Sequence, residues 1–418
     1  MRKFAALAGL LLASPAFAVA PDEAGLPTRA EVVAALDAHP SVAAANARTD
    51  AARAEADALA RGPQEFTLST TYSRRRVEDG TGFGNGTFNE YEGQLSRPFR
   101  LPGKAALDRQ IGAQGLSYAS NMAEDARHHT ALVLAQDWWD WLGAAQEASV
   151  DAQAVANMES LLASVKRRVA QRDAAELEQN QTEAALGSAR AQAQRSMGRE
   201  KVARARLMAQ FPALPLPAIA PEVPLPHPPA GGLAPLRDAI LRRSHELAAA
   251  EALAAQADAQ AARARAERRA DPTLGLRAFS DRGGMERGAG VMVSIPFGGG
   301  YRAAQASKAA AEASAAQGEL QATRLTIAET ANTDLAEAEA SLTVWQQSRA
   351  AVEAQVAALQ KLRRGQQLGE ISLSEVLLAE RMVQDAFRAE AVARTDAMRA
   401  ITRLRIDSHQ LWIDDDEG

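Results

Sequence analysis

Cysteine is absent from this chain of 418 residues, and aromatic side chains make up only 5% of it. The first absence excludes disulfides, thiol nucleophiles, cysteine-ligated zinc and iron–sulfur clusters. The second removes the large side chains that normally fill a globular core of this length. No apolar run beyond the N-terminal segment is long enough for a transmembrane helix, so a membrane role would need β-strands. Basic residues are not in excess: the net charge is −5, with Lys and Arg at 47 against Asp and Glu at 52. A nucleic-acid surface, which shows as a basic excess, is therefore not expected. No nucleophile–base set, phosphate loop or paired catalytic carboxylates stand out. The sequence points to no catalytic residue, no cofactor and no enzyme.

What the chain has instead is alanine, 96 residues of it. Alanine is the best helix former, and its small side chain lets helices pack closely. The composition therefore predicts a mainly α protein of long, close-packed helices. Residues 1–18 read as a secretory signal. Arg2 and Lys3 precede the apolar stretch Phe4 to Ala13, and Ala16-Phe17-Ala18 is a small-x-small cleavage site. Half of the 18 prolines fall within Pro212 to Pro235, a segment that cannot be helical and should run extended. This linker, 212–235, divides the chain into repeats at 19–211 and 236–406, with an acidic tail at 407–418.

Both halves follow the same order. Each opens with a helix of roughly 30 residues, expected at Ala30 to Arg61 and at Leu236 to Ala270. Two strand-like segments follow, Glu65 to Val77 and Phe88 to Phe99 in the first half, Thr273 to Ser280 and Ala289 to Phe297 in the second. A long helical stretch comes next, to about Gln171 and to about Leu368, then a break and a return helix. Matched order far apart in sequence signals duplication. The strands alternate: Phe66, Leu68, Thr70 and Tyr72 share one face, and Ala289, Val291, Val293 and Ile295 another. Such a period suits a half-buried soluble hairpin or a membrane barrel. Gly-rich connections at 78–87 and 281–288 favour antiparallel hairpins. Four strands beside so much helix are too few for an ordinary sandwich.

The long helices repeat every seven residues. Leu134, Trp141, Ala148, Val155, Leu162 and Val169 form one series; Ala331, Ala338, Trp345, Val352 and Leu359 form the other. That period predicts a left-handed coiled-coil seam. A generic filamentous coiled coil has the same heptads.

The segments RPFRLPGK (Arg97 to Lys104), SIPFGGG (Ser294 to Gly300) and RRGQQLGEISLSEVLLAE (Arg363 to Glu380) resemble the TolC-type outer-membrane efflux family, as does the opening ALDAHPSVAAA (Ala35 to Ala45). The resemblance covers nearly the whole mature chain. It implies a homotrimer in which each chain gives four strands to a twelve-stranded outer-membrane β-barrel and its helices to a periplasmic α-barrel. It also implies a passive exit duct, with a periplasmic adaptor, an inner-membrane pump of the resistance-nodulation-division type and outer-membrane lipid as partners. PFRLPGK leans toward the heavy-metal and cation branch. A duct for type I protein secretion shares the same tunnel. A periplasmic adaptor or a structural coiled coil are the competing classes, and two hairpins with two strand pairs argue against an adaptor.

The resemblance also places functional residues. Phe66, Leu68 and Tyr72 would face lipid. The adaptor-docking tips would be Gln171-Arg172-Asp173-Ala174-Ala175 and Leu368-Gly369-Glu370-Ile371-Ser372. Aligning Arg167-Arg168 with Arg363-Arg364 sets Asp173 where the second half has Gly369. Glu375 would ring the tunnel constriction, with Gln179 as its first-half counterpart and Leu378 where a further acid is expected. Asp125 and His129, four apart on one helix, make only a weak pair of metal ligands. Trp138, Trp139 and Trp141 lie too far along the helix for a membrane belt and should pack at the waist. Arg74-Arg75-Arg76 could meet lipopolysaccharide phosphates, and a solvated loop edge is the plain alternative.

Overall fold

The structure, a computed structural model, describes residues 24–78 and 86–413. The expected signal segment, most of the first Gly-rich connection and the terminal acidic run at 414–417 lie outside the described residues; the rest of the tail expected at 407–418 is instead packed, with Leu411, Trp412 and Ile413 buried because they are apolar and meet the waist core. Eight α-helices and one four-stranded sheet are described. The first half runs α1 (Arg29–Asp37), α2 (Pro40–Arg61), β1 (Thr67–Val77), β2 (Gly86–Pro98), α3 (Lys104–Ala170) and α4 (Glu176–Gln210). The second runs α5 (Ala234–Arg243), α6 (His245–Glu267), β3 (Thr273–Asp281), β4 (Glu286–Ser294), α7 (Gly300–Gln367) and α8 (Leu373–Asp407).

Each opening helix is two helices, not one. Pro40 disfavours helical geometry in the residue before it, and His39 is extended at φ −77° and ψ 133°. His39 then caps α2, its Nδ1 accepting from the Ser41 amide at 3.3 Å. Ser244 makes the matching break in the second half, extended at ψ 114°, its hydroxyl accepting from Leu247 N–H at 3.1 Å. The strands also shift. β2 begins at Gly86, and β4 spans Glu286–Ser294, so Ile295 and Phe297 lie beyond its end.

At 67 and 68 residues, α3 and α7 would each extend about 100 Å at 1.5 Å per residue. Of their heptad positions, Leu134, Trp141, Leu162, Ala331, Ala338, Trp345 and Leu359 are buried. α3 packs between α2, α4, α6 and α8, so the two halves share one interface. The largest core lies at the waist. Trp138, Trp139 and Trp141 are buried there with Leu36, Leu207, Phe211 and Ile413, and the Pro-rich segment contributes Leu214 and Val223. Each indole N–H has an acceptor: Gly25 O at 2.8 Å, Thr402 Oγ1 at 3.0 Å and Glu200 Oε1 at 3.0 Å.

The sheet order is β1-β2-β3-β4, all antiparallel. The β2–β3 pairing joins the two halves, and β1 and β4 are free edges. RPFRLPGK is the clamp below the sheet. The buried Lys104 ammonium donates to Glu267 Oε2 at 2.9 Å, Arg269 O at 2.8 Å and Asp271 Oδ1 at 2.8 Å. Asp271 also accepts from the Leu101 amide at 2.9 Å. Asp108 accepts from Arg100 at 2.8 Å and from Arg263 at 2.7 Å. Arg100 donates further to Arg61 O, which ties in the end of α2. Burial opposes ionisation of Glu267 and Asp271, but the hydrogen bonds from Arg263 and Lys104 to Glu267, and from Lys104 and Leu101 to Asp271, hold both below their ordinary carboxylate values.

Removing Lys104 leaves Asp271 with the Leu101 amide alone and Glu267 with Arg263 alone. Lys104→Ala is expected to destabilise the helix–sheet junction by about 3–5 kcal/mol, read as lowered resistance to thermal unfolding. The carboxylates' folded values are depressed, so their contribution is complete above the ordinary carboxylate range and is lost as pH falls from there through the depressed folded values. Acid titration of wild type and variant should therefore converge at low pH.

Candidate membrane sheet and helix tips

The register sorts every strand residue onto one of two faces. Leu68, Leu95, Leu276 and Val291 form a continuous row across all four strands. The next row toward the strand ends is Thr70, Gly93, Ala278 and Ala289, and Tyr72 then sits opposite Tyr91 with ring centroids 5.3 Å apart. Phe66 lies just before β1, and the Arg97 guanidinium stands 4.9 Å from its ring. The opposite face carries Thr67, Ser69, Thr71, Gln94, Ser96 and Gly290. Among the described residues no α-helix packs on either face of the sheet. Leu68 is 71% exposed and Val291 76%. A soluble hairpin would turn this apolar face inward against a helix; here it stands bare.

Charge follows the same division. All four carboxylates in the strands, Glu90, Glu92, Asp281 and Glu286, lie on the polar face. Arg75 pairs with Glu90 at 2.6 Å and Arg277 with Glu92 at 2.6 Å. The apolar face carries Arg74, Arg76, Arg97 and Arg287 and no strand carboxylate.

At the far end of the molecule, both long helices stop in the same way. After α3, Arg172 N–H donates to Val169 O and Asp173 N–H to Arg168 O; after α7, Gly369 N–H donates to Gln366 O and Glu370 N–H to Gly365 O. This is the Schellman closure, and its central residue must be left-handed. Gly369 has φ +80° and Arg172 has φ +64°. The residue matching Gly369 is therefore Arg172, not Asp173. The arginine-pair alignment misses by one position, because the hydrogen bonds rather than the side chains set the count. Ala175 and Ser372 are the matching N-caps, so the counterpart of Glu375 is Glu178, not Gln179.

Glu375 closes a capping box. It accepts from Ser372 N–H at 2.9 Å and Ser372 Oγ at 2.8 Å, and these bonds hold its carboxyl below the usual glutamate value. The Ser374 hydroxyl donates to Gln181 Oε1 at 3.2 Å and links the two return helices. Sequence reasoning missed Gly365. A Cβ there would stand 2.5 Å from Ile371 Cγ1. In the first tip the corresponding positions are Arg168 and Ala174, large beside small in the reverse order.

Four histidines line a pocket of about 310 Å³ beside the waist with Asp125, Glu246 and Asp407. His128 Nε2 lies 3.0 Å from Asp407, and the His409 ring stacks near His128 and His245. Among the described residues no group of three or more such side chains could hold a metal ion.

No family sequence model matches the chain, and no curated protein matches it. Solved structures do match. The outer membrane protein VceC of Vibrio cholerae superposes with a TM-score of 0.74 at 18% identity, over 92% of this chain and 96% of its own. The Campylobacter jejuni CmeC outer membrane channel gives 0.70 at 15% identity, over 93% and 86%. The open state of the Neisseria gonorrhoeae MtrE outer membrane channel gives 0.63 at 16%, over 93% and 90%. The chain shares its fold with these solved outer-membrane proteins. Within that fold the bare sheet and the two tips occupy opposite ends of the long helices.

The same left-handed demand at the two tips predicts opposite effects for opposite substitutions. Gly369→Val forces a β-branched residue into a left-handed turn and is expected to cost about 1–3 kcal/mol. Arg172→Gly relieves the same conformation and should be neutral or stabilising by about 1 kcal/mol. Chemical denaturation of both variants checks the pair; a loss for Arg172→Gly would remove the tip geometry.

Proposed function

We propose that the chain is one third of a passive outer-membrane exit duct in a tripartite efflux system, carrying metal ions or small toxic compounds out through the periplasm. The observation that carries this reading is the uncovered apolar face on a sheet with two free edges. Unpaired backbone in lipid costs several kcal/mol per group, and closure between chains removes both edges. Four strands from each of three chains would close a twelve-stranded barrel, with Phe66, Leu68 and Tyr72 toward lipid. The two halves, with long helices of 67 and 68 residues and return helices of 35 each, are read as a duplication, so the trimer's tunnel wall would have near-sixfold regularity. The tips would receive a periplasmic adaptor, and an inner-membrane pump of the resistance-nodulation-division type would supply the energy. Glu375 would line the constriction at the periplasmic end.

Size measurement in mild detergent tests the assembly: a trimer is expected, and a monodisperse monomer would overturn the barrel. Leu68→Arg is expected to cost up to about 2–4 kcal/mol near the bilayer middle and to lower insertion, whereas Thr67→Arg on the polar face is tolerated. Equal tolerance at both positions counts against the lipid-facing assignment.

Glu375→Gln separates charge from helix capping, since glutamine also completes a capping box. Carboxylates gathered at a constriction attract cations. Bilayer recordings should therefore show reduced cation selectivity, with the capping box retained and only the favourable charge at the helix N-terminus lost. Unchanged selectivity would leave Glu375 a capping residue alone.

A further inference from the structure

The charge division across the sheet has a use beyond insertion. A face turned to hydrocarbon sheds carboxylates, whereas arginines at its ends extend to the interface, where anions are available to them. The apolar face holds four arginines, and three of them lie at the end remote from the helices, two on one edge strand and one on the other. Arg74 and Arg76 follow Tyr72 on β1, and Arg287 shares the Tyr72–Tyr91–Ser280 row on β4. All three are exposed. Arg74 stands opposite Asn89, whose Oδ1 accepts from the Tyr72 hydroxyl at 3.1 Å, so a polar and aromatic step leads from the apolar rows to the arginines. Arg76 meets Glu78, just past the strand, at 3.0 Å, with both side chains more than 70% exposed; such a solvent-exposed pair is worth little and yields readily to a stronger anion.

We infer that Arg74, Arg76 and Arg287 form a binding site for the phosphates of lipid A in the outer leaflet. This rests on the outer-membrane reading above. β1 and β4 are the two edges, so barrel closure sets Arg287 of one chain beside Arg74 and Arg76 of the next. The site is then complete only at the seam between chains. Guanidinium groups pair with phosphate through two parallel hydrogen bonds, and a doubly phosphorylated headgroup supplies enough acceptors for a three-arginine cluster. Arg75, on the other face and paired to Glu90, takes no part.

The test is lipid binding to the purified, detergent-solubilised protein, followed by native mass spectrometry. Bis-phosphorylated lipid A, monophosphoryl lipid A and phosphatidylglycerol are the probes. The trimer is expected to retain bis-phosphorylated lipid A in preference to the other two. Arg74→Gln combined with Arg287→Gln should weaken retention about ten-fold or more while the trimer persists, as for loss of charge-assisted hydrogen bonds. Arg75→Gln should leave retention unchanged. Equal retention of phosphatidylglycerol, or equal loss with Arg75→Gln, overturns the site while leaving the duct reading intact. A wild-type chain that is monomeric overturns both, and is distinguished by its mass before any lipid is added.

Discussion

The free edges of the four-stranded sheet govern the rest of the molecule. Among the described residues, β1 and β4 each present a row of backbone groups without strand partners, and neither face of the sheet is covered by an α-helix. Water can satisfy such an edge, but hydrocarbon cannot. An apolar row running across all four strands and an open edge on either side are compatible only if another strand completes the ladder. Length, helix packing and the position of the waist core then follow as the means of holding that sheet at one end of a long bundle.

Two clusters transmit the sheet's placement to the helices. Below the strands, Lys104 gathers the end of α6 and the turn before β3 around one ammonium, while Arg100 secures the end of α2. At the waist, three indoles fill the space between the halves, and the proline-rich segment covers them with Leu214 and Val223. Between these points the helices carry mainly alanine at the contacts. The large side chains are thus concentrated where elements change direction, and the small ones where long helices must run side by side.

Much of this architecture was legible in the sequence. Seven-residue spacing located the buried stripe of α3 and α7, and alternation located the apolar face of β1 and β4. The break at His39 was not read, although Pro40 carried the signal: the surrounding alanines favour helix on both sides and mask a two-residue interruption. The tip correspondence failed for a different reason. Side-chain likeness aligned the arginine pairs, but the turn is counted in backbone hydrogen bonds, which sequence similarity does not report. The charge division across the sheet needed the register, since alternation within one strand does not say which residues of the next share its face.

The reversed sizes at the two tips have an evolutionary side. Gly365 and Ile371 correspond to Arg168 and Ala174, so the larger residue of the pair occupies opposite positions at the two tips. A bulky residue at position 365 is blocked while Ile371 stays, and becomes acceptable once that side chain shrinks. Variation at either tip therefore proceeds through coupled exchanges, so that homologous chains should show these two positions changing together rather than drifting independently.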